Sequence, residues 1–184
     1  MEADEAQLAL DQIRMAAEQT RRAVARSGTG WIFIIWGCVW FIGYLGGQLL
    51  GGTSSGVLWL VLDILGGACT AIVGMRTRRR LRVAYGWRMA GLWLALMAYV
   101  GLLVWIAWPM SPDRLVLFIT VAISFGYVFV GLWLSPVLLW SGLALTALAI
   151  LGWLLMPAYL GYWMAILGGG GLIGLGIYIL SAWK

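Results

Sequence analysis

Residues Gly56–Arg88 read GVLWLVLDILGGACTAIVGMRTRRRLRVAYGWR. From Val57 to Met75 the stretch is apolar apart from Asp63, and then it turns basic, with Arg76, Arg78, Arg79, Arg80, Arg82 and Arg88 in quick succession. An apolar helix of about 20 residues crosses roughly 30 Å of hydrocarbon at 1.5 Å per residue. The first half therefore reads as a transmembrane helix. The second half reads as the signal that sets its orientation, because positive charge is retained on the cytoplasmic side.

Five further apolar runs surround this one. The six expected spans cover residues 31–50, 57–75, 89–108, 115–134, 137–156 and 160–183. They lack the alternation of barrel strands, so helices are implied. The composition agrees, since the 184 residues are 63% hydrophobic and 10% charged, against roughly 25% charged in soluble domains. The fold expected is all-α: a polytopic helical membrane protein of about six transmembrane helices, preceded by a cytoplasmic amphipathic helix. Residues 1–30 form the arm and linker, and residues 31–184 the transmembrane domain.

Charge decides the orientation. With both termini in the cytoplasm, the inner side receives Arg14, Arg21, Arg22, Arg26, the Arg76–Arg88 cluster and Lys184, while the outer side receives Arg114 beside Asp113. The opposite orientation reverses that bias. The expected location is a plasma or bacterial inner membrane. The net charge of +5 is read as a topology signal, with the Arg cluster able to meet anionic lipid, and not as a nucleic-acid surface.

In the arm, Ala6, Leu10, Ile13, Ala17, Thr20 and Val24 recur at helical spacing. Glu2, Asp4 and Glu5 stand at its start and Arg21, Arg22 and Arg26 at its end, the polarity a helix dipole favours. This segment reads either as a helix beside the lipid headgroups or as a docking helix for another subunit.

Glycine sets how the spans meet, because lipid supplies no hydrophobic drive between helices and small residues let backbones approach. Gly43, Gly47 and Gly51 on the first span, and Gly170 and Gly174 on the sixth, lie four residues apart and are the expected packing ladders. The run Gly168–Gly171 reads as a smooth packing face or as a weak point where the helix unwinds.

Asp63 is the one chemical candidate. A carboxylate at mid-membrane costs roughly 2.5–3.5 kcal/mol on insertion scales. No Lys, Arg or His lies inside any span to offset it. Counted from the outer ends of their spans, Tyr44 falls at the same depth on the preceding helix. Three readings stand open: a protonated or hydrogen-bonded group that holds helices together through Tyr44 or a backbone carbonyl, a proton or cation site along a transport path, or a contact with a cationic residue of a partner at a subunit interface. For the second, Trp40, Tyr44, Tyr99, Ser124 and Tyr127 would contribute hydroxyls and aromatic faces, and such a site suits an organic cation. An enzyme is not expected. The chain has no histidine, no second in-span acid and no phosphate-binding loop. No cofactor or metal is implied.

Two functions are expected from this reading. One is a homo-oligomeric channel or transporter for a proton, cation or small cationic solute, with Asp63 at its polar centre. The other is a non-catalytic subunit of a larger membrane complex, docking through the N-terminal helix and the glycine faces.

Overall fold

A computed structural model describes residues 28–80, 86–134 and 136–182, with Gln7 and Met15 as isolated positions. The amphipathic helix expected over residues 4–26 lies outside these, as do Arg82 and Ser135. The described residues form six helices and no strand: α1 (Thr29–Leu50), α2 (Gly52–Arg80), α3 (Gly86–Ile106), α4 (Pro112–Leu134), α5 (Pro136–Leu155) and α6 (Pro157–Ala182).

Five of them are long and apolar enough to cross a membrane, and in the third, α3, the apolar part is the shorter Ala90–Ile106. Several helices begin ahead of their apolar runs. Hydropathy marks side chains, whereas the backbone ladder continues through polar ones, as α2 does through Gly52-Thr53-Ser54-Ser55. Pro112, Pro136 and Pro157 each open a helix. There the fixed proline φ suits the first turn and the missing N–H had no partner to lose.

Gly51 and Gly52 carry the reversal between α1 and α2 at φ +64° and +53°, where a Cβ would be strained. Gly51 caps α1, its N–H bonding to Gly47 O at 3.2 Å. It therefore belongs to the turn and extends no packing ladder.

α1 is the central element. On one side α2 folds back along it, with Trp59 over Gly43 and Leu58 over Gly46. On another, α6 runs antiparallel to it in close backbone contact, pairing Gly30 with Gly176, Gly37 with Gly169 and Ile173, and Tyr44 and Gln48 with Gly161. A Cβ at Gly169 would stand 2.5 Å from the Phe41 amide nitrogen, and one at Gly37 2.8 Å from that of Ile173. α4 and α5 form a tight hairpin, where a Cβ at Gly131 would strike the Leu139 backbone and one at Gly142 would stand 2.6 Å from Ser124 O. α3 rests on α4 through Trp93 and Leu96 at Gly126.

The close approach on α6 thus runs along Gly161, Gly169 and Gly176. Gly174 has nothing within 4 Å, and Gly170 meets only Ala165 O of its own helix. Met164–Gly169 is wound as a π-helix, which changes the register of the turn and brings Gly169 to face α1. Within this glycine run Gly168 and Gly169 pack against neighbouring groups, while the helix stays wound through the run as a π-helical turn and does not unwind there.

Candidate functional site

The core is aromatic where α1, α2 and α4 converge. Tyr44 is 5% exposed, and its ring is met edge-on by Trp40 at 5.7 Å and by Trp59 at 5.1 Å between centroids. Its hydroxyl bonds to Thr120 Oγ1 on α4. Thr120 spends its only proton on Val116 O at 2.7 Å, so Tyr44 is the donor. Farther along, Tyr127 stacks on Phe33 at 6.0 Å and meets Trp93 edge-on at 5.4 Å. Such offset and edge-on pairs are favourable ring geometries. Ser124 is fully buried between these groups, and its Oγ has no hydrogen-bond partner.

Four of the six residues expected around a cation, namely Trp40, Tyr44, Ser124 and Tyr127, therefore lie in one buried region. The other two do not join them. Tyr99 is 68% exposed on α3, and Asp63 is exposed on α2. No side chain among the described residues bonds to Asp63, and the expected contact with Tyr44 is replaced by the Tyr44–Thr120 bond. Rotation of α2 explains this. The helix seats Trp59, Leu62, Gly66 and Thr70 toward α1, with Trp36 Nε1 donating to Thr70 Oγ1 at 3.1 Å. One residue beyond Leu62, the Asp63 side chain is carried about 100° further round the helix.

The face that holds Asp63 is apolar, and among the described residues nothing packs over it. Leu60, Val61, Ile64 and Leu65 flank it, all exposed. Gly56, Gly67 and Gly74 share its line at spacings of seven, four and seven residues with Asp63, and at each of the three a Cβ would meet nothing within 4 Å. Only 6% of the apolar window of α2 is buried, against 33% in α1 and 39% in α6. What this arrangement can do chemically is accept a hydrogen bond or a positive charge from outside the protomer.

Of the basic cluster, Arg76 is exposed at the end of α2, Arg78, Arg79 and Arg80 continue that helix, and Arg88 lies in the first turn of α3. Among the described residues no group of three or more His, Cys, Asp or Glu side chains could hold a metal ion.

Two polar anchors escaped the reading of the sequence. Gln48, the only side-chain amide beyond residue 19, donates to Ala158 O at 2.9 Å and accepts from Gly161 N at 3.0 Å. It thereby ties the end of α1 to the start of α6. Trp163 Nε1 donates to Leu148 O at 2.8 Å, joining α6 to α5 over Gly152. Gln48 was visible as an isolated amide at a span end. Trp163 carried no such mark, since a tryptophan near a span end reads equally well as an interfacial residue. The chain matches no family model, no curated protein and no solved structure.

Proposed function

We propose that this chain is a non-catalytic integral-membrane subunit that assembles with another membrane protein through the outward face of α2. The observation that carries the reading is Asp63: an exposed carboxylate, without a partner among the described residues, inside an apolar helix that is almost unburied. In lipid such a group is costly alone and is normally paired or set in a polar cavity. No described residue of the protomer pairs with it, so its partner is sought outside. Orientation follows the charge bias, with both termini and the Arg76–Arg88 cluster cytoplasmic, and this cluster faces anionic headgroups.

A channel or transporter made of several copies is the second reading, favoured by the same exposed carboxylate, since a ring could pool Asp63 around an axis. Against it stands the face itself, where Leu60, Ile64 and Leu65 offer no polar row to carry water past Asp63. A path inside one protomer is supported less still, because Trp40, Tyr44 and Tyr127 fill the region between the helices with rings.

The test is extraction from the native membrane in mild detergent, measurement of the mass of the complex and identification of each chain, with a photo-crosslinking residue at position 60. Covalent capture of a defined second protein at that position supports the subunit reading. Capture only between copies, in a ring that conducts, replaces it with the transport reading. A 20.2 kDa monomer with no cross-link defeats both.

A further inference from the structure

Resting on that reading, we infer that the occupant of the α2 face is a transmembrane helix of a different protein carrying a Lys or Arg level with Asp63. Charge complementarity selects this class of partner. Asp63 lies six residues from Val57 and twelve from Met75, about 9 Å inside the apolar stretch by helix rise. A group meeting it must therefore be presented at the same depth, out of reach of either end of the helix.

A second copy of the chain has nothing of opposite charge to offer there. No span of this sequence contains a Lys, Arg or His. Two copies joined through this face about an axis along the membrane normal bring Asp63 against Asp63, a pair that supplies no positive charge and in which at most one carboxyl stays ionised at low dielectric. A helix bearing one cation converts the same cost into an attraction, since in-span charges are tolerated when they pair with one another.

The shape of the face fits such a helix. Gly67 stands one turn from Asp63, and Gly56 and Gly74 two and three turns from it on the same line, all three with open space where a side chain would be. Glycines so placed let a neighbouring backbone come close, which brings the stem of a Lys or Arg alongside Asp63. The contact α2 already makes with α1 uses different positions, Leu58, Trp59, Gly66 and Val73. The outward line thus takes no part in the packing of the described residues.

The full-length protein, reconstituted in phosphatidylcholine vesicles, is tested by energy transfer against synthetic leucine–alanine transmembrane helices. One probe carries a single mid-span Lys, a second carries Leu at that place, and a third has the Lys moved seven residues toward one end. The mid-span Lys probe should associate about tenfold more tightly than the Leu probe. Asp63→Asn should erase that preference, and Asp63→Lys should transfer it to a probe with a mid-span Asp. Gly67→Leu should weaken association with the Lys probe while leaving the thermal unfolding of the protein unchanged.

Equal association of the Lys and Leu probes, or a preference that survives Asp63→Asn, overturns the inference. So does energy transfer between two labelled copies that Asp63→Asn abolishes, because the occupant is then a second copy. The two proposals fail separately. A native partner cross-linked at position 60 without an in-span cation removes this inference and leaves the subunit reading standing, whereas no native partner removes both.

Discussion

Tyr44 and Asp63 sit on the two arms of one hairpin, yet they differ entirely in what surrounds them. Tyr44 gives its proton to Thr120, which passes its own to Val116 O. Removing either end of this relay has unequal consequences. Tyr44→Phe deletes a donor and leaves Thr120 still bonded to its own helix, so a loss of about 1 kcal/mol is expected. Thr120→Val strands the Tyr44 hydroxyl in the core and should cost more, roughly 1–3 kcal/mol. Unfolding midpoints in detergent should rank wild type, then Tyr44→Phe, then Thr120→Val, and the reverse order for the two variants would contradict the direction of the relay. Ser124 makes the opposite case, because its buried Oγ has no partner to lose. Ser124→Ala should leave the midpoint unchanged or raise it, and a clear fall would mean that the hydroxyl is bonded in the protein. That Tyr44 was worth attention was legible in the sequence from its depth. Its bond to Thr120 was not, because that contact spans 76 positions and depends on the rotation of two helices.

Among the elements, α1 and α6 show how glycine position decides what a helix can approach. A Cβ at Gly169 or Gly37 would enter the backbone of the opposing helix. Backbone cannot move aside as a side-chain tip can, so Gly169→Ala and Gly37→Ala should each cost about 1–3 kcal/mol through overpacking. Gly174→Ala meets open space and should be neutral or stabilising by up to about 1 kcal/mol from helix propensity. Equal losses at Gly169 and Gly174 would mean that α6 presents a different face to α1. The ladder expected at Gly170 and Gly174 came from four-residue spacing, which names a stripe without saying which way it points. The π-helical turn at Met164–Gly169 alters the register between one end of α6 and the other, so no straight-helix count could locate the contact. On the first span, by contrast, Gly43 and Gly47 do lie beneath α2, the first under the Trp59 ring and the second beside Ser55.

For the whole molecule, the described helices divide into a packed group around α1 and α6 and two peripheral helices, α2 and α3, whose apolar stretches are largely exposed. Because Asp63 has no partner among the described residues, Asp63→Asn should shift the unfolding free energy of the isolated protein by no more than about 0.5 kcal/mol. In the assembly proposed here, the same substitution should lower the mass of the extracted complex, and a large loss of intrinsic stability would instead place Asp63 in a contact inside the fold. The sequence by itself determined the helical class, the approximate place of each helix and the isolation of one acid among apolar residues. These follow from chain-local quantities: the length of an apolar run against the thickness of hydrocarbon, proline and glycine at the ends, and the absence of in-span cations. Only the tertiary structure decided which glycines are crowded, which hydroxyls are paired and which way Asp63 faces. Each of those depends on the rotation of a helix about its axis, and hydropathy constrains that rotation weakly when a helix is apolar all round. It was settled by the packing of Trp59, Gly66 and Thr70 on α1, which left the carboxylate outside.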